Sequence, residues 1–149
     1  METEPLPLPL PEVGPHHLPS LAAEIHRTYF MKYPPLRVRW GHRIVRKRRH
    51  SIRLGSYNHS TTEIRIHPLL NAPHIPAFFI QSIIHHEYLH HVLGPNHNRR
   101  FHANERKFRY FRESNEWIRR HLFLLLGRRA ERVARLNQAP PPLAQLLLF

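Results

Sequence analysis

One segment constrains the fold of this chain more than any other. From Ala77 to Leu93 the residues are apolar on nearly every side of a helix, with Pro76 placed where a first helical turn accepts proline. Gly94-Pro95 then ends the pattern. A helix that is hydrophobic all round has to be buried. The segment therefore predicts a central helix with the other elements packed around it.

Shorter patterns on either side predict the elements that cover this helix. Ser20 can cap an N-terminal helix that Pro34-Pro35 ends, and further helices are predicted over about 98–111 and 113–137. Apolar residues alternate with arginine in three strand-like runs, 38–40, 52–54 and 64–66, and a turn-rich segment at 58–61 separates the last two. The predicted fold class is α+β, with an N-terminal helix, a small, mostly antiparallel sheet, a buried central helix and C-terminal helices.

The chain, with 149 residues, has room for one domain. Residues 1–19 carry six prolines and predict a disordered arm, the domain is expected over 20–137, and three prolines precede an apolar tail at 138–149. No apolar run approaches the roughly 20 residues of a membrane span, and the arm lacks the pattern of a secretory signal. We therefore expect a cytoplasmic protein without a membrane partner. Nothing in the sequence indicates its oligomeric state.

The composition is strongly basic and contains no cysteine. Lysine and arginine together number 23 against 10 acidic residues, which gives a formal charge of +13. This charge favours polyanions such as nucleic acid, although biased codon usage can also produce it. The candidate nucleic-acid contact is the tetrad Arg46, Lys47, Arg48 and Arg49, for which a solvated loop is the alternative interpretation. Without cysteine, any metal site must use His, Glu, Asn or backbone ligands.

Within the central helix lies the pattern His86-Glu87-Tyr88-Leu89-His90. Residues four apart share a helix face, so the imidazoles of His86 and His90 can converge on one zinc ion while Glu87 serves as catalytic base. With 15 histidines and 10 acidic residues in 149, roughly 0.1 such matches are expected by chance. The apolar setting strengthens the prediction, because an unpaired His-Glu-His set is costly to bury.

A third ligand is predicted beyond the end of the helix. His97 follows His90 by seven residues, and a chain reversal at Gly94-Pro95 can return it to the same ion. His102 and Glu105 are the alternatives, and Glu105 could instead orient a ligand imidazole. Three protein ligands and one open position are typical of catalytic zinc. The neighbouring histidines, His85 and His91, lie about 100° round the helix and are expected to be packing residues.

Four stretches of the sequence resemble the minimal SprT-like and YgjP-like zinc metallopeptidases, over about residues 36–125. They are IRLGSYNHSTTEIRIHP, IIHHEYLHHVLGPNH, RRFHANERKF and EWIRR. The resemblance implies a zincin-like fold, one zinc ion per chain held by His86, His90 and His97, and Glu87 as catalytic base. It favours His97 over His102, because the third ligand in that family is followed after three residues by phenylalanine, here Phe101.

The expected function is that of a zinc-dependent metalloendopeptidase acting on a protein or peptide substrate. DNA-associated proteins are candidate substrates, since some SprT-like relatives digest proteins crosslinked to DNA. The alternative from another class is a basic nucleic-acid-binding module with a structural or vestigial zinc site. A third interpretation is a helical packing motif with accidental histidines and no metal.

Overall fold

The computed structural model describes residues 14–42 and 52–125. In chain order, their elements are α1 (Leu18–Tyr29), β1 (Arg37–Trp40), β2 (Gly55–Asn58), β3 (Glu63–Ile66), a 3-10 turn (Pro68–Leu70), α2 (Ala77–Leu93), α3 (Arg99–Glu105) and α4 (Phe111–Leu125). The α+β class is confirmed. The proline-rich arm up to residue 13, the basic tetrad at 46–49 and the chain from 126 onward, with its tail at 138–149, lie outside the described residues.

Helix α2 occupies the centre of the domain and has the predicted limits, Ala77 and Leu93. It contacts α1, α3 and α4 as well as strands β2 and β3. Ile80, Ile83 and Ile84 are each at most 1% exposed, and burying such a side chain stabilises the fold by about 1.5–3 kcal/mol. Because α2 has neighbours on nearly every side, its sequence is apolar on nearly every side.

The sheet is mixed, so the predicted mostly antiparallel arrangement is wrong. The strand order is β1-β3-β2, with β2 antiparallel and β1 parallel to β3. A short turn joins β2 to β3, which requires antiparallel pairing, whereas segment 41–62 is long enough to return the chain for a parallel pair. The alternation at 52–54 is also not a strand of this sheet, because the β2 ladder begins at Gly55, although Ile52 and Leu54 are buried.

Helix α1 begins earlier than predicted. It starts at Leu18, and its N-cap is His17 rather than Ser20, whose backbone N–H donates to Nδ1 of His17 at 3.3 Å. Leu18 is fully buried, so the packed domain begins before the predicted boundary between residues 19 and 20. The end of the expected disordered arm therefore belongs to a helix.

The helix predicted over 98–111 is shorter than expected. Helix α3 ends at Glu105, a turn follows, and α4 begins at Phe111, two residues before the predicted start. Within this turn Phe108 is only 4% exposed and packs against the rings of Tyr29 and His85. Burial of this ring draws the chain inward and separates the two helices.

Candidate metal centre

Three imidazoles converge at the C-terminal end of α2. Nε2 of His90 lies 3.2 Å from Nε2 of His86 and 3.0 Å from Nε2 of His97. Each of the three residues offers one nitrogen, and these nitrogens all lie within 4.8 Å of one another. Ligands about 2.0–2.1 Å from a tetrahedral zinc ion are about 3.3–3.4 Å apart. The structure thus brings together the three histidines that the sequence predicted as ligands.

The chain bend that returns His97 to α2 depends on Gly94. Its φ is 94°, which an L residue rarely adopts, and its N–H donates to the carbonyl of His90 at 3.0 Å. After the bend, the side chain of Asn98 caps α3 by accepting from the N–H of Phe101 at 2.9 Å. The loop between α2 and α3 is therefore fixed at both ends, with His97 between them.

The ring of Phe101 packs against all three imidazoles. Its centroid lies 4.9 Å from that of His86, 4.7 Å from that of His90 and 4.9 Å from that of His97. Phe101 is fully buried. The sequence pointed to Phe101 only as part of a family pattern, and its role as a packing platform for the cluster was not predicted. The sequence does contain a signal for this role: Phe101 follows the helix cap Asn98 by three residues, which places it in the first turn of α3.

Hydrogen bonds to the far side of two rings fix how they face the cluster. Nδ1–H of His90 donates to the carbonyl of Gly94 at 3.0 Å, and Nδ1–H of His86 donates to the Glu105 carboxylate. In these neutral tautomers each Nε2 presents a lone pair toward the other. Lone pairs 3.2 Å apart repel unless a cation or a proton lies between them. This donor set therefore fits a divalent metal ion.

Glu105 lies behind His86 rather than at the point where the three nitrogens converge. One carboxylate oxygen pairs with His86, and the other lies 3.5 Å from Nδ1 of His102. Burial alone would raise the pKa of the Glu105 carboxyl, but the hydrogen bond and electrostatic attraction of His86, followed by those of His102, outweigh it and lower the pKa. Of the two alternative ligands, Glu105 thus occupies an orienting position and the exposed His102 contacts Glu105.

Glu87 is buried beside the cluster, where α2 packs on β2. It is 1% exposed, and its Oε1 has no hydrogen-bond partner among the described residues. Burial raises the pKa of Glu87 to about 7, against opposing effects of His86 and Arg53. A Cβ added at Gly55 would overlap Cγ2 of Ile83 and would lie only 3.1 Å from Oε1 of Glu87. Gly55 is therefore what lets this carboxylate lie against the strand.

The two other histidines of α2 lie outside the cluster. The His85 ring packs against Tyr29, Phe30 and Phe108, and burial lowers its pKa to about 4. Its Nδ1 has no partner within the described part of the chain. Nδ1 of His91 shares a hydrogen bond with the Tyr57 hydroxyl, 2.5 Å away. These positions agree with the packing roles predicted for His85 and His91.

Comparison with known proteins found no family model, curated protein or solved structure that matches the chain. The likeness to SprT-like and YgjP-like peptidases stays a prediction from the sequence. None of the helices in residues 14–42 and 52–125 combines the length and apolarity needed to cross a membrane.

Proposed function

We propose that this chain is a zinc-dependent metallopeptidase whose ion is held by His86, His90 and His97. The observation that carries the proposal is the convergence of the three Nε2 atoms. For His86 and His90, which lie on α2, an acceptor bound at Nδ1 turns Nε2 toward the cluster. The described residues offer three ligands, which is the number that catalytic zinc sites use, whereas structural sites are usually closed by four. A minimal zincin-like fold of the SprT-like and YgjP-like type is part of this proposal, supported by the sequence stretches that resemble that family.

A zinc ion bound there supplies a Lewis acid that polarises a carbonyl and makes water acidic near neutral pH. The chain's own base is Glu87, whose buried Oε1 has no competing hydrogen-bond donor among the described residues. Oε1 would accept a proton from the attacking water, and the same oxygen would deliver it to the departing amine. Tyr88 is a packing residue in this proposal, because it is 1% exposed in the core and its hydroxyl accepts from the N–H of Leu36 at 2.9 Å.

The substrate we propose is an extended peptide that pairs with β2. This strand lies at an edge of the described sheet, so one side of its backbone is not paired within that sheet. Gly55, in the same strand, lies against Glu87. A peptide added along this edge would bring its backbone close to the carboxylate and would depend on main-chain hydrogen bonds, with little preference for side chains.

Substitution of Glu87 by glutamine tests the peptidase proposal. Purified Glu87→Gln should retain about one zinc ion per chain and should cleave an unfolded protein such as casein at least about 100-fold more slowly than wild type. His97→Ala should lose both zinc and cleavage. Glu113→Gln, the same change at an exposed glutamate outside the cluster, is the matched control. Cleavage by Glu87→Gln at the wild-type rate would disprove the assignment.

The lack of cysteine in the sequence supports a reducing compartment, and we propose the cytoplasm. DNA-associated proteins remain candidate substrates on the strength of the family resemblance and the net charge. The basic tetrad at 46–49 lies outside the described residues, so it contributes no geometry to this proposal.

A further inference from the structure

A second candidate site lies in a cleft between the turn that follows α3 and the outer face of α4. The cleft has a volume of about 880 Å³, and its lining includes four arginines, Arg106, Arg109, Arg112 and Arg119. All four are exposed. The three-histidine cluster does not use any of them. We refer to this feature as the arginine cleft.

The arginine cleft carries an excess of positive charge that the described residues do not neutralise. None of its four arginines takes part in an ion pair within the described part of the chain. Two glutamates also line the cleft, but Glu116 accepts from Arg120, which is not a lining residue, at 2.7 Å. Among the described residues that line the cleft, only Glu113 remains to offset the four guanidinium groups. A concave surface with this balance of charge attracts anions and holds them close.

The spacing of the arginines fits a chain of phosphates. Arg112 and Arg119 are seven residues apart on α4, so they lie on one helix face, about 10 Å apart along the axis. Every phosphate of a nucleic-acid strand carries a negative charge, so two arginines this far apart can contact different phosphates of the same strand. Arg106 and Arg109, in the turn, supply cations on the opposite wall.

Aromatic groups accompany these cations. Phe111 is half-buried and lines the cleft, and the Arg109 guanidinium lies 5.2 Å from the centroid of the Tyr110 ring. Proteins that bind single strands combine a basic groove for the backbone with aromatic faces on which bases stack. We propose that the arginine cleft binds the sugar-phosphate backbone of single-stranded nucleic acid. This proposal stands independently of the peptidase proposal.

The test measures binding of a fluorescent oligothymidylate of about 12 nucleotides by anisotropy, between 50 and 200 mM salt. The double variant Arg112→Gln/Arg119→Gln should bind at least about ten-fold more weakly at 100 mM salt. Its slope of log affinity against log salt should be shallower by about 1.4, because each phosphate contact on a single strand contributes about 0.7. Glu113→Gln should bind more tightly than wild type, because it removes a negative charge from the cleft.

The matched control is Arg27→Gln/Arg39→Gln, which removes the same charge from two exposed arginines outside the cleft. Its affinity should stay within about three-fold of wild type. Arg106→Gln/Arg109→Gln, on the opposite wall, should weaken binding as the α4 double variant does, which gives a second assay if one variant is poorly folded. Thermal unfolding of every variant establishes that it is folded.

Two results would overturn the proposal. If the control and cleft double variants lose affinity equally, the attraction comes from the charge of the whole chain. If polyglutamate displaces the oligonucleotide as well as unlabelled oligothymidylate does at equal charge concentration, the cleft is a general anion site. Repeating the titration with a chelator keeps the result separate from zinc binding, and an unchanged affinity supports a site distinct from the metal centre.

Discussion

Replacing Gly55 by alanine should destabilise the protein by forcing α2 and β2 apart. An added Cβ would overlap Cγ2 of Ile83 and would lie 3.1 and 3.3 Å from Oε1 and Cγ of Glu87. Ile83 cannot easily yield, because it is 1% exposed and its β-branched side chain has few rotamers on a helix. The strain therefore has to be taken up by the backbone of the helix or the strand.

Overpacking of this kind typically costs about 1–3 kcal/mol. For a protein of this size, 1 kcal/mol corresponds to about 2–4 °C in Tm, so a cost of about 2 kcal/mol should lower Tm by about 4–8 °C. Gly41→Ala is the matched control. A Cβ there would meet the carbonyl of Ile66 at 3.6 Å and Cδ of Pro68 at 3.9 Å, which are ordinary contacts. Its expected effect is within about 0.5 kcal/mol.

The assay is urea and thermal unfolding in buffer that contains zinc, completed by a double-mutant cycle. Ile83→Leu removes the methyl group at the β-branch and nearly conserves volume, so by itself it should cost less than about 1.5 kcal/mol. The double variant Gly55→Ala/Ile83→Leu should then be more stable than the sum of the single effects by about 1 kcal/mol. Equal stability of Gly55→Ala and Gly41→Ala, or strict additivity in the cycle, would refute this account of the close approach.

Three further predictions concern the cluster and its surroundings. Zinc supplied at 100 times its Kd should stabilise the folded wild type by about 2.7 kcal/mol, so chelation should lower its Tm and should leave the Tm of His97→Ala unchanged. Glu105→Gln should weaken zinc binding about 10–100-fold in competition with a chromogenic chelator, while Glu113→Gln should not, and equal affinities would remove the orienting role of Glu105. In the metal-free protein, burial lowers the pKa of His85 from 6.5 to about 4. Between these two pH values His85 is protonated in the unfolded chain but not in the folded chain. The free energy of unfolding should therefore decrease as the pH falls through this range, by about 3 kcal/mol in all. His85→Phe should lose that part of the pH dependence in urea titrations between pH 7.5 and 4.5, and a profile identical to wild type would contradict the prediction.

The sequence was most informative where one pattern had one physical solution. A segment that is apolar all round and bounded by Pro76 and Gly94 predicted the limits of α2, because only a central position buries every face. Spacing of four within that helix placed His86 and His90 on one face, and the helix stop allowed His97 to return. These local rules needed no knowledge of distant contacts.

Features set by distant contacts could not be predicted in the same way. Alternation of apolar residues does not determine strand direction, so the parallel pairing of β1 with β3 was missed. Helix α3 ends where it does because Phe108 is buried against α1 and α2, and the sequence of α3 alone does not reveal these contacts. Likewise, Gly55 is needed because α2 packs closely against it. This could not be predicted from the sequence, because glycine in a strand has several possible explanations.

The placement of α3 makes the geometry of the histidine cluster depend on how this short segment folds. In seven residues the helix supplies the Phe101 platform and the Glu105 carboxylate, and its cap residue, Asn98, directly follows His97. With the proposed ion removed, the imidazoles would face one another without compensation, and α3 would lose part of what keeps it against α2. On that proposal, metal binding and the packing of residues 95–105 are coupled, so that each would stabilise the other.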